Sequence, residues 1–200
     1  APDANISVQI LTPDLDTITK QGGLPGGDLS WVDLSTEDLS GLDFQGTNLS
    51  NANLSQATLS QTNLSGANLS GAIFTGTDMR DVKWDTTTTL TGANLSAANL
   101  AGMDLGELDF TNAVFSGADL TGTNMSGATL SGASFSGTDL RQTNLGDAVG
   151  NRTAPIDFTG AFVDVAALGL DWSSLILVTT NLVGLSPSTP LTGLNAQGAV

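Results

Sequence analysis

Two hundred residues suit one domain with a buried core, and no stretch reads as a signal peptide or approaches the apolar length that spans a bilayer. A net charge of -15, from 20 acidic and 5 basic residues, argues against binding phosphate backbones or anionic membranes, both of which need Lys and Arg. With no Cys and no His, the chain has no disulfide, no thiolate metal site and no Ser-His-Asp or Cys-His catalytic unit. Only 12% of residues are charged, so most of the surface must be neutral Ser, Thr, Asn, Gln and Gly.

Taken in order, Asn5 to Ile10 alternates apolar and polar residues and predicts a half-buried strand. Thr12 is a good N-cap, Pro13 fits the first helical position, and Gly22 is a stop, so a short helix follows. Asp14 and Asp16 suit its positive end and Lys20 its last turn, while Leu11, Leu15 and Ile18 share one face. Gly22-Gly23 and Pro25-Gly26-Gly27 then break the chain, which bounds an N-terminal cap at 1–26.

From there a five-residue beat takes over. Leu or Phe occupies 29, 34, 39, 44, 49, 54, 59, 64, 69 and 74, followed by Met79 and Trp84. Two residues before most of these stands a small side chain: Ala52, Ala57, Thr62, Ala67, Ala72, Thr77. Neither a helix nor a strand sustains a period of five; a solenoid does, when each unit is one short strip and a bend. Strand alternation then sends the small and large side chains inward and the residue between them outward.

A slower period lies on top. Every fourth large residue from Leu54 gives Leu54, Phe74, Leu95, Phe115 and Phe135, and the small partners are Ala52, Ala72, Ala93, Ala113 and Ala133. Columns at a spacing of 20 predict a four-sided coil, with alanine making room for phenylalanine. These strips resemble the A-(N/D)-L-x-x signature of the pentapeptide-repeat family over Gly27 to Leu145. The resemblance implies an all-β fold, a right-handed quadrilateral parallel β-helix, here with a short N-terminal strand and helix cap.

Two interruptions are visible. Asp85-Thr86-Thr87-Thr88-Thr89 shifts the register by one residue and reads as a corner bulge near 85–89. Gly146 to Pro155 reads as a loop, after which strips return weakly at Ile156-Asp157-Phe158, Ala161-Phe162-Val163, Leu175-Ile176-Leu177 and Thr180-Asn181-Leu182. Residues 164–170 fit strips or a short helix equally, the solenoid is expected over 27–185, and 186–200 reads as a tail that covers the open end or pairs two copies end to end. Twelve strips on each side of the bulge make six coils, about 29 Å tall at a strand spacing of about 4.8 Å.

The chemistry is sparse. No catalytic, cofactor-binding or metal-binding residue stands out. Asp104, Glu107 and Asp109 lie near one corner and offer the hard oxygen ligands calcium takes, but a solvated acidic corner is the plainer reading. Asn-Leu-Ser at Asn48, Asn53, Asn63, Asn68 and Asn94 matches glycosylation acceptors only because the repeat writes it. Asp28, Asp33, Asp38 and Asp43 take the same outward slot on four successive strips and ring the first coil. The expected function is a non-catalytic scaffold whose partner is another protein, without direct nucleic-acid binding or membrane insertion, as a monomer or an end-to-end dimer. The family also contains acidic rods that mimic duplex DNA and bind DNA gyrase. Here the best acidic column, Asp38, Thr58, Asp78, Asn99, Asp119 and Asp139, is interrupted, and Arg80 and Arg141 sit beside it. A third reading is an ordered surface such as ice, met by the hydroxyl ladders Ser30, Ser50, Ser70, Thr91, Thr111, Ser131 and Ser35, Ser55, Thr75, Ser96, Ser116, Ser136. Export to a periplasmic, lumenal or extracellular compartment is expected from the missing Cys and the start at Ala1.

Overall fold

A computed structural model describes residues 15–150, 154–164, 175–176 and 181–183. The strand expected at 5–10, the helix start at Thr12, the ambiguous run after Asp164 and the tail from 186 lie outside them. Helix α1, Leu15–Gln21, places Asp16 in its first turn and Lys20 in its last, and buries Ile18 against the core. It ends as a glycine cap should: Gly22 takes φ 76°, and the Gly23 N–H reaches back to the Ile18 carbonyl at 2.9 Å.

The fold is the right-handed quadrilateral β-helix. Successive coils are joined by parallel bridges at a spacing of 20, as in Asp28↔Asn48, Asp33↔Asn53, Asp38↔Thr58 and Asp43↔Asn63. Side one is centred on Leu29, Leu49, Leu69, Leu90, Phe110 and Leu130; side two on Leu34, Leu54, Phe74, Leu95, Phe115 and Phe135. Side three is centred on Leu39, Leu59, Met79, Leu100, Leu120 and Leu140; side four on Phe44, Leu64, Trp84, Leu105, Met125 and Leu145. All of these are buried except Trp84. The alternation of the strip is the cause, since its two inward side chains meet those of three other sides along the axis.

Most corners are turns closed from one large residue to the next small one. Leu42 N–H donates to Leu39 O at 3.1 Å with Gly41 at φ 69°, the left-handed position of a type II turn. Side chains are tolerated there too, including Trp31 at φ 63° and Thr36 at φ 62°.

The solenoid starts earlier than its sequence suggested. Gly23 bridges Asp43, and Leu24 N–H donates to Asp43 O at 2.8 Å, so Leu24 is already a strip centre. Pro25 and Gly26 make the first corner, with the fixed φ of proline before the φ of 67° at Gly26. The expected 1–26 cap therefore gives up its last residues to the first coil.

The breaks in the ladder are small. Asn68↔Thr89 is spaced 21, which puts one extra residue, Asp85, into the corner between sides four and one. Its Oδ1 accepts from Gly66 N at 3.2 Å, a bond a regular corner makes with a carbonyl, and from Thr87 N at 2.9 Å. The loop expected over 146–155 shrinks likewise. Ala148 is buried, Val149 bridges Thr129, and the spacing widens only to 23 at Ser134↔Asp157. The ladder then continues through β1 (Ile156–Asp157) and β2 (Phe162–Asp164), paired in parallel with β3 (Leu175–Ile176) and β4 (Asn181–Val183).

Two packing devices lock the coils. Ala52, Ala72, Ala93, Ala113 and Ala133 are fully buried on side two, and beside them Phe115 stacks on Phe135 at 4.8 Å with an interplanar angle of 3°, and Phe135 on Phe158 at 5.4 Å. Where threonine replaces alanine it does more than fill space. Thr62, Thr77, Thr123 and Thr138 donate Oγ1–H to the carbonyls of Leu39, Leu54, Leu100 and Phe115 in the coil below, at 2.8 to 2.9 Å. Among the described residues no buried side-chain nitrogen or oxygen is left without a partner.

Candidate functional site

With the interior closed, the outward slot of each strip is what the protein offers. Much of its chemistry turns inward on the fold. At many corners one backbone N–H points away from the coil ladder, and the outward Asp or Asn two residues earlier accepts it: Ser30 N to Asp28, Ser40 N to Asp38 and Gln45 N to Asp43, all at 3.0 Å. The asparagine amides then donate downward, Asn48 to Asp28 and Asn53 to Asp33 at 3.0 Å, and Asn63 to Asp43 at 2.9 Å. On three sides the ringed aspartate thus accepts from the asparagine stacked directly above it, so its place in the ring is turn and ladder chemistry.

These bonds favour the charged carboxylate. The Ser30 backbone N–H, then its hydroxyl, holds Asp28 below the ordinary aspartate range. The Ser35, Ser40 and Thr87 hydroxyls lead in lowering Asp33, Asp38 and Asp85, and Thr121 does so for Asp119. A depressed folded pKa stabilises the fold above the unfolded pKa and loses that stabilisation as pH falls through the folded value. The urea midpoint should therefore be insensitive to these groups from pH 7 to about 5 and drop below about pH 4. A steep loss between pH 7 and 5 would contradict this assignment.

Side three differs from the rest. Its outward column runs Asp38, Thr58, Asp78, Asn99, Asp119 through consecutive bridges, and Asp139 bridges Phe162 above. Arg80 clamps Asp78 with two bonds, Nε to Oδ1 at 3.0 Å and Nη2 to Oδ2 at 2.7 Å. Arg141 clamps Asp139 in the same way at 2.9 and 2.6 Å, and its guanidinium lies 5.4 Å from the Phe162 ring centre. Each clamp holds its carboxyl below the usual range, the guanidinium hydrogen bond being the main cause. Both pairs are about half exposed, so they add little stability, but they fix charge in place. Clamped carboxylates alternate with the unclamped Asp38 and Asp119. A groove of about 340 Å³ opens on this side between Gln56, Thr58, Asp78 and Asp81.

The other sequence candidates separate. Asp104 accepts from Gly106 N and Asn124 Nδ2, and Asp109 from Thr111, while Glu107 sits at the corner between. Among the described residues no three acidic groups converge as metal ligands. The hydroxyl ladders are half-buried at the corners, with Ser131 buried outright, and Ser55 and Ser96 spend their hydroxyls on Asn53 and Asn94 at 2.7 and 2.6 Å. They do not form a free flat array. Every aspartate with a resolved shift is pushed down, so none of these is tuned as a general acid near neutral pH.

Eight copies of the pentapeptide-repeat signature match residues 43–81, 88–127 and 109–147. A pentapeptide-repeat protein of the Arabidopsis thaliana thylakoid lumen is 31% identical, covering 56% of this chain and 68% of its own, with a TM-score of 0.17. This chain belongs to the pentapeptide-repeat family. HetL, a pentapeptide-repeat protein involved in heterocyst differentiation regulation in the cyanobacterium Nostoc sp. strain PCC 7120, is 22% identical over 93% of this chain and 92% of its own, with a TM-score of 0.53. That likeness is one of fold. Full-length QnrB1, a plasmid-mediated fluoroquinolone resistance protein, is 21% identical over 80% of this chain and 91% of its own, with a TM-score of 0.43. None of the curated proteins matches the chain in sequence. Within this pentapeptide-repeat protein, the arginine clamps were legible as Asp-x-Arg on one side. The bonding of Thr62 and its equivalents was not, because threonine in the small slot reads as a mere volume.

Proposed function

We propose that this chain is a non-catalytic interaction scaffold that docks a protein partner along side three. The observation that carries the reading is the fixed alternation there of carboxylates without an arginine clamp, Asp38 and Asp119, with clamped pairs, Asp78–Arg80 and Asp139–Arg141. A rigid surface loses little entropy on docking, and a pattern of both signs sets register and rejects wrong partners. The absence of His and Cys rules out the Ser-His-Asp and Cys-His units. The test is capture of a partner from the source cell by the wild-type chain and by Asp38→Asn/Asp119→Asn. Asn99 already fills this slot and accepts Ala101 N at 3.2 Å, so the variant should keep its corners. The reading expects a partner held by the wild type and released by the variant; equal capture by both overturns it.

The second reading, an acidic mimic of duplex DNA acting on gyrase, is favoured by the net charge of -15. The clamps weigh against it, because they neutralise the carboxylates a phosphate ladder would need. Inhibition of gyrase supercoiling by the same wild-type preparation would favour mimicry over the scaffold reading.

A further inference from the structure

The corner after Trp84 is built unlike any other. Trp84 is the only strip centre from Leu29 to Leu145 that is not buried. Directly after it comes the extra residue, Asp85. In the coil above, the slot that is Ser65 one coil below and Ser126 one coil above is Gly106, which has no side chain to fill the corner. The ladder of side four runs Asn63↔Lys83 and Asp104↔Asn124, and among the described residues no bridge joins Lys83 to Asp104. A half-enclosed cleft of about 200 Å³ opens here, lined by Trp84, Asp85, Thr86, Asp104, Gly106 and the buried Leu108.

Three features of this cleft point to one ligand chemistry. Half-buried Trp84 lines the cleft, and cations prefer tryptophan to any other aromatic. Two carboxylates, Asp85 and Asp104, stand on the rim, and each spends its Oδ1 on the fold, accepting Thr87 N at 2.9 Å and Asn124 Nδ2 at 2.8 Å. Leu108 supplies apolar surface for a methylene stem. The surrounding strips add Glu107 and Asp109 against a single cation, Lys83, which forms no ion pair among the described residues. The size suits one side chain rather than a drug-sized molecule, whose pockets run to about 300–1,000 Å³.

We propose that this cleft is a recognition pocket for a single organic cation, the lysine or arginine side chain of a partner protein. The indole and Leu108 take its stem, and Asp104 with Asp85 takes its charge. The inference rests on the scaffold reading, but it concerns a different side and is tested without any natural partner. Its failure would leave side three untouched, and failure of the side-three test would leave this pocket measurable.

Two variants make it falsifiable without unfolding the corner. Asp104→Asn removes the charge while an amide oxygen can keep the bonds to Gly106 N and Asn124, as Asn124 and Asn144 do one and two coils higher. Trp84→Leu restores the residue that Leu64 and Leu105 represent on either side. The readout is the indole N–H resonance of Trp84, followed by NMR against Trp31 and Trp172. Two probes are titrated at constant ionic strength, n-butylammonium and the capped peptide acetyl-Ala-Lys-Ala-amide, with sodium as the control. Both probes should shift Trp84 saturably and leave the other two indoles in place. Asp104→Asn should weaken binding about three- to tenfold, as removal of one partly screened charge does. In Trp84→Leu, binding followed by probe line-broadening should fall at least as far. Equal shifts at all three tryptophans, or a response to sodium as large, would overturn the pocket. So would unchanged binding to Asp104→Asn. Binding of the free amine without the peptide would overturn a partner side chain as the occupant.

Discussion

Phe115→Ala should cost about 3–5 kcal/mol, the largest effect of any single truncation proposed for this chain. The ring is fully buried, stacks on Phe135 at 4.8 Å and meets Phe110 edge-on at 5.2 Å. Its removal deletes apolar burial and leaves a cavity that rigid coils cannot close, because the backbone above and below is held by ladder bonds such as Phe115 N to Ser134 O at 2.7 Å. Total stability of a domain this size is commonly about 5–15 kcal/mol, so much of it would go. In a solenoid each coil contacts only its neighbours, so the loss should be local first. Hydrogen exchange should accelerate in the coils around Phe115 while those near Leu49 keep their protection. Urea unfolding with an unchanged midpoint would show that the stack does not hold the coils.

Ala113→Leu tests the same column from the opposite direction. Ala113 is fully buried two residues before Phe115, in the slot that is alanine at 52, 72, 93 and 133 as well. Ile156 closes the column next to Phe158, where the spacing has widened to 23. Within the regular coils there is no such slack. Three extra carbons must displace the Phe115 ring or part the coils, at a cost of about 1–3 kcal/mol or more. Thermal unfolding should fall by several degrees, and Ala118→Leu on side three, opposite no phenylalanine stack, should fall by less. Equal losses at both positions would mean that the alanine column carries no special relation to the rings.

How much of this was legible follows from what a period can encode. Inward and outward positions, the four sides, and the Ala–Phe column are consequences of spacing, and the spacing is written in residues 29 to 145. The single-residue slip at Asp85 was also visible as a beat out of step. Three features were not visible, each for a physical reason. Leu24 keeps the beat, but Pro25-Gly26-Gly27 is written in the same letters as a chain break, and only the type II geometry shows it to be a corner. Val149 continues the ladder because backbone bonding does not need a large residue, and Gly150 stands where a Leu was expected. The cleft beside Trp84 arises from three small departures, an extra residue, an oversized centre and a missing serine, which meet only when the coils are stacked. Charge misled in a similar way. A net value of -15 invites a phosphate mimic, whereas position assigns most outward aspartates to turns, ladders or arginine clamps.

Partner binding should follow the charge pattern of side three and not overall acidity. The direct measurement compares the affinity of the captured partner for wild type, for Asp38→Asn/Asp119→Asn on side three, and for Asp28→Asn/Asp33→Asn on sides one and two. Each double variant removes the same charge, and each leaves an amide that can serve the corner as Asn48 and Asn53 do. The side-three variant should bind about tenfold more weakly or worse, with thermal unfolding close to wild type, while the other stays near wild-type affinity. Equal weakening by both variants would contradict a side-specific scaffold and return the function to bulk negative charge.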